Sequence, residues 1–269
     1  RDPEMSRGLG DVYKRQLFMS HISGMIRAMS AVPRVHLADP QANVREIVEL
    51  LRQADAQNVR LCVFPELCLC GYTCADLLIH PPLLSGCLQA LDTLLQAPVR
   101  AAFVVGLPLE IGGRLYNCAV AVCGGRILGV VPKTHLPGSC EFYEKRWFSP
   151  APSERGLTVE LLGREVPFGT DTIVRKDGVA VGAEICEDLW APLPPSTYAA
   201  LAGAQVIVNL SASDDVVGKF DYLRSLVTQQ SARSLCAYVY SSAGYGESST
   251  DLVFHGKTIV AENGHTTVS

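Results

Sequence analysis

Short, nearly unbroken apolar runs alternate along this chain with longer stretches in which apolar residues recur every third or fourth position. The first rhythm is that of strands buried on both faces, the second that of helices laid against a sheet. Residues 26–31 predict a first strand. Asp39-Pro40 then opens a helix, with Asp as N-cap and Pro at the first helical position. Val44, Ile47, Val48, Leu51 and Ala54 form its apolar stripe, and it ends near Asn58. Residues 61–64 (LCVF) are a short buried strand that Pro65 stops. The cycle repeats with a helix from His80-Pro81-Pro82 towards Gln96 and a strand over 101–106. Strands over 116–123 and 126–131 follow, joined by a Cys123-Gly124-Gly125 hairpin turn. Further on, strands are expected at 179–185, 205–210, 235–242 and within 252–260, and helices at 196–203 and 218–235.

Strands alternating with helices, with some hairpins, predict a mixed α/β domain whose helices cover its sheets. Residues 150–170 read by composition as a long surface excursion. Neither an internal repeat nor a low-complexity linker is apparent. Residues 1–16 are polar and unpatterned, and the stretch RGLGDVYKRQ resembles translated adapter sequence, so residues 1–18 are expected to be a non-native or disordered leader. The domain is expected to occupy residues 19–269, its native start falling near Met19 or Met25, and the ending HTTVS falls in mid-element, as in a fragment of a longer protein.

Composition narrows the function classes. The 269 residues are 48% hydrophobic and 19% charged, enough for a full core. A net charge of -4 without a block of like charge gives no electrostatic reason to expect nucleic acid or a membrane surface as partner. No apolar run has the length of a membrane helix. The ten cysteines are read as reduced, buried small hydrophobes of a cytoplasmic protein. Zinc on Cys68, Cys70 and Cys74 is the sharper alternative, but their spacing lacks the paired CxxC form and His80 is not at ligand spacing.

Three polar motifs end apolar strands, where active sites of α/β folds gather. Phe64-Pro65-Glu66 holds a carboxylate at the edge of the core, where partial burial would raise its pKa and suit it to general-base work. Val131-Pro132-Lys133 offers an ammonium able to stabilise an oxyanion, and Glu141, within Glu141-Phe142-Tyr143-Glu144, could orient it. Ala183-Glu184-Ile185-Cys186-Glu187-Asp188 sets a thiol at a strand end among acids, which disfavour a thiolate unless a lysine offsets them or a carboxylate takes the proton during attack. Singly, each motif has a plain structural explanation: a helix cap or surface turn, an exposed lysine, a buried thiol. The functional case rests on all three occurring in order.

That order of Glu66, Lys133 and Cys186 resembles the nitrilase (carbon-nitrogen hydrolase) superfamily. The resemblance implies an α-β-β-α sandwich in which Glu66 is the general base, Lys133 stabilises the tetrahedral intermediate, Cys186 is the nucleophile and Glu141 is the second glutamate. The strings FPELCLCGYTCADLL, VPKTHLP with EFYEKRWFSPA, GAEICEDLWAP and GESSTDLVFHGKTIVAENG look more specifically like the glutaminase domain of the glutamine-dependent NAD synthetase family. That likeness runs from about Met25 to the end of the chain. It implies hydrolysis of glutamine to glutamate and ammonia without metal or organic cofactor. The ammonia would pass to a C-terminal synthetase domain that uses ATP and Mg2+ to make NAD from nicotinic acid adenine dinucleotide, and the SGGxDS-type loop of such a domain does not occur in this chain. The likeness also implies a homo-oligomer. Tyr72, Phe142, Glu187 and Ser213 are the expected glutamine contacts. Where some members use arginine for the substrate carboxylate, this chain offers Lys219, a less directional partner.

Two other functions fit the same residues. One is a stand-alone amidase or nitrilase for another small amide or nitrile. The other is a non-catalytic binding or assembly module, against which the intact Glu66, Lys133 and Cys186 argue.

Overall fold

In the computed structural model, which describes residues 25–248 and 251–268, strand alternation sorts side chains between three apolar layers. Leu61 and Val63 of β2 (Leu61–Val63) face inward against Val206, Val208 and Leu210 of β10 (Val206–Ser211). Cys62 and Phe64 face the opposite way, towards Ile47, Leu51, Leu91 and Leu94. A one-residue slip would exchange these two sets, so burial on both sides fixes the register.

Seven strands form the first sheet in the order β1-β2-β3-β4-β5-β7-β6. They are β1 (Ala28–Ser30), β2, β3 (Ala102–Ile111), β4 (Arg114–Cys123), β5 (Arg126–Pro132), β6 (Leu157–Leu161) and β7 (Arg164–Phe168). Six strands form the second, in the order β13-β12-β11-β10-β9-β8. These are β8 (Ile173–Lys176), β9 (Val179–Ile185), β10, β11 (Ala237–Ser242), β12 (Thr258–Glu262) and β13 (His265–Val268). Helices α1 (Pro40–Ala56) and α2 (Pro81–Gln96) cover the outside of the first sheet. Helices α3 (Pro195–Leu201) and α4 (Lys219–Ser234) cover the outside of the second, through Ala199, Leu223 and Val227 packed with Ile207 and Tyr238. The result is the expected α-β-β-α sandwich. Its parallel strands, β1-β2-β3 in one sheet and β9-β10-β11 in the other, point their C-terminal ends towards one edge of the inter-sheet layer.

The local rules hold at α1, where the Asp39 side chain accepts from the Ala42 N–H at 2.9 Å and Pro40 occupies the first turn. Elsewhere the expectations need correction. The strand read at 101–106 continues through Gly106 to Ile111 and pairs with β4 across a turn at Gly112-Gly113, both with positive φ. The surface excursion read at 150–170 contains the β6–β7 hairpin, whose turn places Leu162 and Gly163 at positive φ. The strand expected within 252–260 begins only at Thr258, because Gly256, at φ 66°, breaks the extended run and packs against Gly244. The first strand is shorter than 26–31, and β8 and β13 were not foreseen. The leader expected at residues 1–18 lies outside the described residues.

Candidate active site

Each of the three motifs leaves its strand where the sheets meet. After β2, Pro65 breaks the ladder and the chain turns through Glu66 and Leu67, the latter at φ 50°. The Glu66 N–H donates to the Ser211 carbonyl at the end of β10, 3.3 Å away, tying the turn to the other sheet. Gly106 of β3 makes room for this turn: a Cβ there would lie 2.3 Å from the Leu67 nitrogen and 2.9 Å from the Glu66 carbonyl carbon. The cysteines of FPELCLCGYTC pack beneath. Cys68 donates to the Gly106 carbonyl at 3.7 Å and Cys70 to that of Leu67 at 3.6 Å. All ten cysteines are free thiols, and among the described residues no group of three or more His, Cys, Asp or Glu is arranged to hold a metal.

Lys133 follows β5 and is wholly buried. Its ammonium donates to Glu66 Oε1 at 2.6 Å and to Glu144 Oε1 at 2.6 Å. Asn117 of β4 donates to the same Glu66 oxygen at 2.6 Å. Glu66 Oε2, also buried, has no hydrogen-bond partner. Burial drives the Glu66 carboxyl up to about 7, Lys133 pulling it down and Glu144 pushing it up. Burial also opposes the Lys133 charge, but Glu144 and Glu66 outweigh it and hold the ammonium well above the ordinary lysine range.

The acid beside Lys133 is therefore Glu144 and not Glu141. Glu144 begins a 3-10 turn (Glu144–Arg146), its N–H donating to the Pro137 carbonyl at 3.1 Å, and this turn delivers its side chain inward. Glu141, three residues earlier, is only partly buried.

Cys186 follows β9 and begins a 3-10 turn (Cys186–Trp190). Its φ is 46°, a left-handed conformation that a non-glycine residue adopts at a cost of roughly 1–3 kcal/mol. Neighbouring bonds hold it there. The Cys186 N–H donates to Asn209 Oδ1 at 3.2 Å, and Asn209 donates to the Tyr238 hydroxyl at 3.0 Å. That hydroxyl in turn donates to buried Glu184. Asp188 stitches the cysteine turn to the lysine loop, accepting from the N–H groups of Ile185 at 2.9 Å, Thr134 at 3.1 Å and His135 at 2.7 Å. Burial raises the Cys186 thiol to about 12; Glu66 adds to the rise, while Lys133 and a hydrogen bond with Ser211 oppose it. Cys186 therefore rests as a thiol whose proton affinity is set by burial and by the Glu66 and Lys133 charges.

A cavity of about 180 Å³ opens onto Cys186. Of the expected substrate contacts, Phe142, Glu187, Ser213 and Lys219 line it together with Pro137 and Trp190. Tyr72 does not line it. Its hydroxyl donates to Glu144 Oε1 at 2.8 Å and its ring meets Phe142 edge-on at 6.3 Å, so it braces the wall from behind. Sequence reasoning missed Asn117, Glu144, Asp188, Asn209 and Trp190. For Glu144 and Asp188 a signal existed: each lies within a string already singled out. For Asn117 and Asn209, polar residues inside apolar strands were the sign.

The described part of the chain matches the carbon-nitrogen hydrolase family over residues 27–268, and the chain belongs to that family. Within it, the chain is 41% identical over 252 residues to the glutamine-dependent NAD(+) synthetase of Mycobacterium tuberculosis (strain ATCC 25618 / H37Rv), covering 92% of this chain and 37% of the relative. It is 30% identical over 237 residues to the glutamine-dependent NAD(+) synthetase of Homo sapiens, covering 84% of this chain and 33% of the relative. It thus spans about a third of the length of these relatives. Among solved structures, a glutamine-dependent NAD(+) synthetase from Cytophaga hutchinsonii superposes with a TM-score of 0.80 at 28% identity, over 90% of this chain and 40% of that one. An amidase of the nitrilase superfamily from Nesterenkonia AN1 shares the fold, with a TM-score of 0.74 at 19% identity over 90% of this chain and 85% of that one. No helix among the described residues is long and apolar enough to cross a membrane.

Proposed function

We propose that this chain is the glutamine-hydrolysing part of a cytoplasmic glutamine-dependent NAD synthetase, releasing ammonia for an ATP- and Mg2+-dependent ligation performed elsewhere in a longer protein. The observation that carries the reading is a buried Glu66 oxygen without a hydrogen-bond partner, a Lys133 ammonium fixed between two carboxylates, and a Cys186 thiol that feels the Glu66 and Lys133 charges. The identity to NAD synthetases supplies the substrate.

The chemistry is acyl transfer. Cys186 Sγ attacks the side-chain amide carbon of glutamine as Glu66 takes the thiol proton, so no free thiolate is needed. Lys133 and a backbone N–H beside Cys186 stabilise the oxyanion at the buried end of the cavity. Glu66 then gives its proton to the departing ammonia, leaving a thioester. Water, deprotonated by the same carboxylate, cleaves it to glutamate. Glu144 keeps Lys133 charged and oriented. At the other end of the cavity Glu187 meets the substrate's α-ammonium and Lys219 its α-carboxylate, with Phe142 and Ser213 beside them. This half-reaction calls for no cofactor.

Cys186→Ala is expected to keep the fold and abolish ammonia release from glutamine. Undiminished release would remove Cys186 from the mechanism. Comparing glutamine with simple aliphatic amides and nitriles tests the substrate, and a preference for the simple compounds would favour a stand-alone amidase.

A further inference from the structure

Lys219 opens α4, an unfavourable place for a cation, because the first turn of a helix presents unpaired N–H groups and the positive end of its dipole. Its neighbours hold it there. The buried Asp214 carboxylate pairs with its ammonium, which also lies 5.8 Å from the ring centre of Phe142 and 5.6 Å from that of Trp190. Phe142, Trp190 and Lys219 line the Cys186 cavity, and so does Ser213, the neighbour of Asp214 in the chain.

The same cavity contains Glu187, half-buried, whose carboxyl feels the Lys219 charge. A lysine on a flexible four-carbon stem facing a carboxylate across a small cavity would tend to collapse onto it and fill the space with an internal ion pair. Asp214 counters this by pairing with the ammonium. An ammonium has three N–H donors; one spent on Asp214 leaves two for a ligand. We propose that Asp214 is a positioning residue that holds the Lys219 cation apart from the Glu187 anion. The cavity then presents separated charges matched to an α-amino acid zwitterion, and the enzyme selects amides that carry an α-carboxylate. The inference rests on the glutamine reading above and deepens it.

The test is steady-state glutamine hydrolysis by this chain and its Asp214→Asn variant, with butanamide, which is glutamine without its α-ammonium and α-carboxylate, as competitive inhibitor. Asp214→Asn is expected to raise KM for glutamine about tenfold, the value of one charge-assisted hydrogen bond. It is expected to leave kcat within about twofold of the parent and the inhibition constant of butanamide unchanged. A merely structural role would weaken both ligands alike. That outcome, or an unchanged or lowered KM for glutamine, overturns the proposal. Should Asp214→Asn fail to fold, Asp214→Ser is read by the same criteria, since it too removes the charge that pairs with Lys219. A parent chain that hydrolyses no glutamine would sink the functional reading and this inference with it, whereas an active parent matched by its variant sinks this inference alone.

Discussion

The ammonium of Lys133 lies 2.6 Å from Oε1 of Glu144, and both groups are sealed from solvent. Removing Glu144 would leave the buried Lys133 charge with Glu66 alone, and losing one partner of a buried ion pair costs more than the pair itself contributes. Glu144→Gln is therefore expected to lower kcat for amide hydrolysis by about a hundredfold or more, the scale of losing one fixed electrostatic contact at a developing oxyanion. Glu141→Gln, three residues away and only partly buried, is expected to stay close to the parent. Steady-state kinetics of the two variants side by side decide between them, and the reverse ranking would restore Glu141 to the site.

The pH dependence of catalysis follows from Glu66. The mechanism needs its carboxylate free to accept a proton, and burial raises that carboxyl to about 7. kcat/KM is expected to climb with pH through a midpoint near 7, far above the range of an exposed glutamate. A profile already flat from pH 5 upward would mean that another group is the base.

The same shift affects stability with a definite sign. A carboxyl whose pKa is higher folded than unfolded binds more proton in the native state, so its contribution falls as pH rises from the unfolded to the folded value. For Glu66 that window runs from 4.5 to about 7, and for Asp188 from 3.8 to about 8. Chemical unfolding of the parent and of Glu66→Gln at several pH values should show a smaller decline for the variant between pH 5 and 7. A steeper decline in Glu66→Gln would contradict the assignment.

Gly106 and Asp188 hold the reacting groups through backbone. Gly106→Ala would thrust a methyl group into the Glu66 turn, where the nearest atom is 2.3 Å from the Cβ position. Expected results are a stability loss of about 1–3 kcal/mol, as for overpacking at a rigid contact, and impaired hydrolysis although no reacting group has changed. Asp188→Ala orphans the buried N–H of Ile185 and the half-buried N–H of His135 and is expected to cost about 3 kcal/mol. Urea unfolding measures both, and a parent-like midpoint in either variant would refute the corresponding argument.

Much of this architecture was legible in the sequence because local chemistry and long-range packing agreed. Asp39-Pro40 started a helix where it fell, and 179–185 formed the strand its apolar run predicted. Reading failed where one residue served a distant neighbour. Gly106 looked like the end of a strand, yet it is a mid-strand glycine kept small for the Glu66 turn. The alternation of Leu157, Val159 and Leu161 was a strand signal within a polar stretch, overlooked because composition dominated the reading. In the site, Glu66, Lys133 and Cys186 could be named from strand ends, but the choice between Glu141 and Glu144 depended on a 3-10 turn that spacing alone does not reveal. Tyr72 likewise pointed at the right wall from the wrong side.

The high pKa of the Cys186 thiol also bears on how the protein meets a chemically hostile environment. Peroxides and alkylating agents consume thiolates, and at neutral pH this sulfur presents almost none. In the mechanism proposed above, its reactivity stays latent until a guest fills the cavity and sets a carbonyl carbon against it, when proton transfer to Glu66 and bond formation would proceed together. Burial, which at first sight handicaps a nucleophile, here works as a safety catch released by the correct occupant.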